Sequence, residues 1–112
     1  MICKITILPE YTDCLEKISQ GQYVHVFMWF HEAKRGTKKV HTLHDPSLGL
    51  RGVFATRSPD RPNPIGVTLV EILKLDGLTL DVRGLDALDG TPVIDIKPFI
   101  QDIDSLPWEE QT

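Results

Sequence analysis

Residues 65–82 read IGVTLVEILKLDGLTLDV. Two runs rich in β-branched and aliphatic residues meet at Asp76-Gly77, and Leu78, Leu80 and Val82 alternate with polar neighbours after it. An Asp-Gly pair between two such runs is the strongest short-range hairpin signal. The spacing therefore predicts strands over 65–75 and 78–85 with Asp76-Gly77 at the tip. Working outward, residues 2–8, 50–56 and 93–100 read as further strands. Residues 23–30, dense in aromatic and β-branched side chains, read as a strand buried on both faces. Residues 9–18 fit one or two helical turns with Tyr11, Leu15 and Ile18 on one side, ended by Gly21. Residues 32–49 form a long charged connection without structure of its own, a length that is often functional. Residues 102–112 make an acidic tail containing Trp108. Several short strands with regular turn signals and almost no helix predict a mainly β fold, a small barrel or sandwich, with one domain over residues 1–112.

The chain has 112 residues, 41% hydrophobic and 25% charged, the balance of an ordinary soluble globular protein. No apolar run approaches the roughly 18–20 residues that a membrane span needs. Met1-Ile2-Cys3-Lys4 leads straight into a strand-like run rather than a signal peptide, so a cytoplasmic location is expected. Cys3 and Cys14 are expected as free thiols there rather than as a disulfide. A net charge of −4 argues against a general nucleic-acid coat. The charge is unevenly spread. Between residues 34 and 61 stand Lys34, Arg35, Lys38, Lys39, Arg51, Arg57 and Arg61 against Asp45 and Asp60. Such a segment can meet a phosphate backbone or an anionic ligand, or simply solvate a loop.

Residues 57–66, RSPDRPNPIG, hold three prolines where one or two turn-formers would suffice. Each proline fixes its own φ and pushes the residue before it towards extended conformations. Pro59, Pro62 and Pro64 therefore also restrict Ser58, Arg61 and Asn63, leaving little entropy to lose when a ligand arrives. Arg57, at the start of this stiff stretch, is a planar cationic fork suited to a carboxylate or phosphate. Asn63 offers amide hydrogen bonds from a fixed point, and Gly66 allows close backbone approach. A rigid crossover whose arginines pair with neighbouring acids explains the same residues equally well.

Residues 52–73, GVFATRSPDRPNPIGVTLVEIL, and residues 84–100, GLDALDGTPVIDIKPFI, closely resemble the TsaA-like family, also called YaeB or TrmO. The resemblance runs from about Pro9 to Asp102, and its proline-punctuated motifs are specific. It implies a single-sheeted β-barrel without a Rossmann unit, usually dimeric, with the cofactor close to the subunit interface. It implies an S-adenosyl-L-methionine-dependent methyltransferase acting on N6 of threonylcarbamoyladenosine beside the tRNA anticodon, or on a related small substrate. It also implies an extra N-terminal strand with a basic, proline-containing segment and, in bacterial members, a C-terminal domain. A sequence that starts near the PEY motif and stops at Thr112 is expected to lack both.

The resemblance suggests cofactor contacts at Phe30, His31, Arg57, Val67, Arg83, Gly84, Leu85 and Asp86. An aromatic face at Phe30 suits an adenine or a sulfonium cation, though a core Phe30 and a surface His31 fit the bare sequence. Asp86 suits ribose hydroxyls, or an Asx-turn. Arg61, Asn63, Asp95 and Lys97 are candidates for the acceptor side. Asp95 and Lys97 alternate along one strand face and suit a structural ion pair better. Asp89-Gly90-Thr91-Pro92 is most simply a tight turn. No residue declares itself as the general base; Asp86, Asp95 or a histidine would serve. No metal is expected: His41, His44 and Asp45 lie in a loop without a supporting cysteine pair, and His25 and His31 merely share a strand face. The alternative from another class is a non-catalytic nucleotide- or RNA-binding β-barrel module.

Overall fold

The computed structural model describes residues 1–41 and 45–105. Five strands form one antiparallel sheet in the order β1-β6-β5-β2-β7: β1 (Ile2–Thr6), β2 (Tyr23–Trp29), β5 (Ile65–Asp76), β6 (Thr79–Arg83) and β7 (Val93–Pro98). Two short strands, β3 (Lys39–His41) and β4 (Leu50–Gly52), pair only with each other. The only helical pieces among the described residues are short. They are 3-10 turns over Pro9–Leu15, Pro46–Leu48 and Val53–Ala55, and one α-helical turn over Gln101–Asp104, α1. None of them is long and apolar enough to cross a membrane.

The β5–β6 hairpin forms where the sequence places it, one residue along: Asp76 pairs with Thr79, and Gly77 and Leu78 make the loop. Gly77 has φ +60° and Leu78 does not share the sign, the pattern of a II′ turn, which needs glycine at its first central position. Val70 and Ile72 point inward from β5 with Leu80 and Val82 opposite. A bulge at Leu73 then switches the parity of β5, so that Leu75 rather than Lys74 faces inward against Leu80. Val24, Val26 and Met28 of β2 and Ile5 of β1 complete the buried cluster, with Leu85 below it.

Three expectations are corrected. β2 is not buried on both faces: Tyr23, His25, Phe27 and Trp29 alternate with the buried residues and keep contact with solvent, because no layer among the described residues covers that side. Residues 50–56 are not one strand. After Gly52 the chain tightens into a 3-10 turn whose Val53 carbonyl is taken up by Thr56 and Arg61. The connection over 32–49 carries β3 and the Pro46–Leu48 turn, and Asp45 caps that turn by accepting from the Ser47 amide and hydroxyl. Trp108 of the acidic tail lies outside the described residues.

The sheet curls but does not close into a barrel among the described residues. β1 and β7 remain its edges, and a groove of about 680 Å³ runs between them, lined by Cys3, Ile5, Met28, Leu85 and Val93 among others. Cys3 and Cys14 are both free thiols.

Leu80 is wholly buried at the centre of the cluster, whereas Leu88 is 76% exposed. Leu80→Ala is expected to lower unfolding free energy by about 2–5 kcal/mol. Leu88→Ala should stay within about 0.5 kcal/mol of the parent. Urea unfolding of the two variants checks both.

Candidate functional site

β2 runs out at Trp29, but its ladder continues for one more rung: the Phe30 amide donates to the Pro64 carbonyl at 2.8 Å. The Phe30 ring then lies over Gly66 of β5. A Cβ on Gly66 would sit 2.5 Å from the ring's Cε2, so glycine is what lets the aromatic side chain lie flat on that strand. The Ala33 amide returns to the Phe30 carbonyl at 3.0 Å, and this turn presents His31 to solvent.

The proline-rich stretch is held by a relay of short local bonds. The Thr56 hydroxyl donates to the Val53 carbonyl, the Ser58 amide to the Thr56 hydroxyl, and the Asp60 amide to the Ser58 hydroxyl. Such side-chain-to-backbone bonds offer the chain an alternative to a ladder. The stretch is then clasped to the 31–36 turn. The Lys34 amide donates to Asp60 Oδ1 at 2.9 Å, and Arg35 donates from Nε to the Pro62 carbonyl at 2.9 Å and from Nη2 to Asn63 Oδ1 at 3.3 Å. The Arg35 guanidinium also lies 5.4 Å from the centroid of the Trp29 ring.

Between these two loops and the 86–91 segment opens a cavity of about 810 Å³, lined by Phe30, His31, Arg57, Asp60 and Asp86 among others. Its size falls in the usual range for a small-molecule site. Arg57 is exposed and, among the described residues, neither it nor Asp86 makes a side-chain hydrogen bond or ion pair. A cationic fork and a carboxylate thus face the same space unspent, beside a half-buried aromatic ring. The groove between β1 and β7 is separated from this cavity by a common wall, since Ala87, Leu88, Asp89 and Thr91 line both. The Thr91 amide and hydroxyl both donate to the Leu88 carbonyl, so the tight turn read from Asp89-Gly90-Thr91-Pro92 doubles as this wall. Nothing in its sequence beyond the turn residues signals that second use.

Other candidates fall elsewhere. Val67 lies opposite Phe27 on the outer face of the sheet, and Arg83 pairs with Glu71, whose carboxylate holds the guanidinium's pKa above its ordinary value by hydrogen bonding and charge. Gly84 has φ +105°, and Leu85 is buried and faces the groove; together they carry the chain from β6 round to Asp86. Arg61 turns inward and donates to the carbonyls of Val53 and Thr56. Asn63 is occupied by Arg35. Asp95 and Lys97 pair at 3.9 Å on the outer face, with Lys97 Nζ 5.7 Å from the centroid of the Phe27 ring. Arg35, the residue that joins the two loops, was not singled out by the sequence. Its partners are two backbone-restricted positions far along the chain, which no local pattern reveals.

Among the described residues no group of three His, Cys, Asp or Glu side chains is placed to hold a metal ion. His25 Nε2 lies 3.3 Å from Asp104 Oδ2, where it helps dock α1, while His31 faces the cavity. His44 lies outside the described residues.

Residues 1–105 match the family described as the tRNA-methyltransferase O N-terminal domain. The chain is 47% identical over 105 residues to an S-adenosyl-L-methionine-binding protein of Archaeoglobus fulgidus, covering 94% of this chain and 74% of that protein. It is 39% identical over 102 residues to the tRNA (adenine(37)-N6)-methyltransferase of Escherichia coli, covering 85% of this chain and 43% of that enzyme. A crystal structure of TrmO from Pseudomonas aeruginosa superposes with a TM-score of 0.72 at 34% identity, covering 94% of this chain and 44% of that one. Another Archaeoglobus fulgidus protein matches at 50% identity, and the chain spans 28% of its length.

Replacing Gly66 tests the seat of the aromatic wall. Gly66→Ala should force the Phe30 ring off β5 and lower stability by about 1–3 kcal/mol, the usual cost of overpacking. Gly36→Ala, where a Cβ meets nothing within 4 Å, should leave the thermal melt unchanged.

Proposed function

The chain belongs to the tRNA-methyltransferase O N-terminal domain family, and on that premise we propose that it binds S-adenosyl-L-methionine between Phe30, His31, Arg57 and Asp86 and serves methylation of an adenine N6 in RNA. The observation that carries this reading is the unspent guanidinium of Arg57 and the unspent carboxylate of Asp86 facing one aromatic-walled cavity. The ligand's chemistry answers each group. Arg57 offers a bidentate fork to an amino-acid carboxylate, Asp86 accepts from a ribose diol, and Phe30 gives a face to an adenine ring. The names of the Archaeoglobus and Escherichia relatives support the same cofactor and reaction class.

Held between Phe30, His31, Arg57 and Asp86, S-adenosyl-L-methionine would supply an electrophilic methyl group to an acceptor nitrogen, the C–S bonding pair staying on the sulfur and the nitrogen giving up its proton to solvent or a base. What this chain contributes is alignment. The proline stretch and its Arg35 clasp restrain the backbone that carries Arg57, so little backbone entropy remains to be lost on binding. Phe30 closes one side against water. Gly84 and Leu85 aim Asp86 into the cavity from the end of β6. Arg61 and Asn63 act in this reading by bracing the loop, and Asp95 and Lys97 by holding the outer face.

Within the same reading, the acceptor is N6 of threonylcarbamoyladenosine in a tRNA anticodon loop, as the motif resemblance implies, and the place of work is the cytoplasm. A homodimer is also part of it. The outer face of β2 and β5 exposes Ile65, Val67 and Leu69 around Phe27 and Trp29, an apolar patch of the kind a second copy covers. Val67 enters the site through that contact, and Arg83 borders it through Glu71.

Titration with S-adenosylhomocysteine by calorimetry tests the assignment. Arg57→Ala should fold normally and bind more weakly by about 1.5–3 kcal/mol, the range for a hydrogen bond to a charged group. Arg57→Lys should recover only part of the loss, since an ammonium cannot reproduce a bidentate fork. A lower melting temperature with unchanged affinity would remove Arg57 from the site. Absence of saturable binding to the parent protein at millimolar ligand would leave a non-catalytic RNA-binding module.

A further inference from the structure

We propose that the β3–β4 ribbon and the turn that follows it, with Phe54 at the tip, are the surface that grips unpaired RNA beside the cofactor cavity; this deepens the methyltransferase reading above by locating its acceptor. Among the described residues the ribbon is hydrogen-bonded to no strand of the main sheet. It therefore adds little to the core. At its base, Val53 is buried as an anchor, its amide donates to the Lys38 carbonyl at 2.9 Å, and its own carbonyl is held by Thr56 and Arg61. The next residue, Phe54, is 85% exposed. An aromatic ring thrust into water from a turn pinned on several sides is a built feature rather than a loose end. It carries a π-face at little entropic cost to whatever stacks on it.

The charges around it select the partner. Lys34, Lys38, Lys39, Arg51 and Arg57 have no carboxylate partner among the described residues. The two acids of the segment are taken up by backbone and hydroxyl donors: Asp45 by the Ser47 amide and hydroxyl, and Asp60 by the Lys34 amide. The rest of the chain is acidic enough to bring the net charge to −4. Lys38, Lys39 and Arg51 flank the turn that carries Phe54, through the Lys39–Gly52 rung and the Val53–Lys38 bond, and Phe54 stands three residues before Arg57 of the cavity. Cations interleaved with an exposed ring match single-stranded nucleic acid, whose phosphates pair with the former and whose bases stack on the latter. A protein partner would want the charge depleted at the centre of its contact. That composition is found instead on the outer face of β2 and β5.

The test uses a fluorescein-labelled RNA hairpin with an unpaired, adenosine-containing loop, read by anisotropy, with S-adenosylhomocysteine calorimetry in parallel. Phe54→Ala should weaken hairpin binding roughly 5- to 150-fold, the span for one stacked base, and Phe54→Trp should retain it. The combined Lys38→Glu, Lys39→Glu and Arg51→Glu protein should lose about 2 from the slope of log affinity against log salt, at roughly 0.7 per single-strand phosphate contact. Both proteins should keep the parent's melting temperature and S-adenosylhomocysteine affinity. Hairpin affinity equal to the parent's in both proteins would overturn the proposal. So would a dimer that dissociates in Phe54→Ala during sedimentation while hairpin affinity holds, since the ribbon would then be a subunit contact. A parent protein that binds S-adenosylhomocysteine but not the hairpin removes the RNA surface and leaves the cofactor site standing. Hairpin binding that depends on Phe54 without any S-adenosylhomocysteine binding does the reverse.

Discussion

The antiparallel ladder between β2 and β5 is the constraint on which the rest is hung. Its seven rungs run from Tyr23 opposite Glu71 to Trp29 opposite Ile65, and the Phe30–Pro64 bond adds an eighth. On one side it buries Val24, Val26, Met28 and Val70, which are the middle of the core. At its far end it delivers two chains to the same place: β2 hands over Phe30 and His31, and the proline stretch arrives at Pro64. Shifting this register by one residue would turn the buried row outward. It would also carry Phe30 away from Gly66. Fold and site therefore share one set of hydrogen bonds.

The proline stretch solves a problem that the ladder creates. A chain that leaves the end of one strand and comes back into its neighbour has many paths, and a binding group on it would have to be ordered at the ligand's expense. Here the three prolines remove backbone freedom, the Thr56–Ser58–Asp60 relay satisfies backbone amides locally, and Arg35 ties the loop across to Trp29. The two arginines that look alike in RSPDRP are given opposite work. Arg61 is spent inside on carbonyls, and Arg57 is left outside with its fork open. Residues four apart in an extended segment would share a face; the contrast comes from the bends between the two arginines, which the Thr56–Ser58–Asp60 relay holds.

The sequence disclosed the parts whose signal is local. The Asp-Gly turn, within one residue, and the alternation of Leu80 and Val82 stand in the structure; of the eight residues that the motif resemblance suggests as cofactor contacts, Phe30, His31, Arg57 and Asp86 line one cavity. What stayed hidden depends on distant partners. The bulge at Leu73 reverses the parity of β5, yet ILKL reads as ordinary strand because every residue there tolerates either face. Val53, Phe54 and Thr56 have strand-like side chains, and the turn they adopt is fixed by Arg61 from further along. β2 looks doubly buried because its outer residues are all ring-bearing, Tyr23, His25, Phe27 and Trp29, but burial on that side needs a layer that the described residues do not supply. Closure of a barrel, likewise, is a relation between β1 and β7, the two sheet strands farthest apart in the chain.

The segment that carries Ala87, Leu88, Asp89 and Thr91 is a partition with a chamber on either side: the seam between β1 and β7, and the space before Arg57. It is braced by the Leu88–Thr91 turn, by Ala87 against the core and, at its end, by the bond from the Trp29 amide to the Pro92 carbonyl. A thin partition makes the two chambers thermodynamic neighbours. Whatever stiffens it from one side leaves less entropy to lose on the other, and linkage requires the favour to be returned in equal measure. A ligand in the seam that stiffened this segment would, by the same linkage, change affinity in the cavity without any side chain reaching from one to the other.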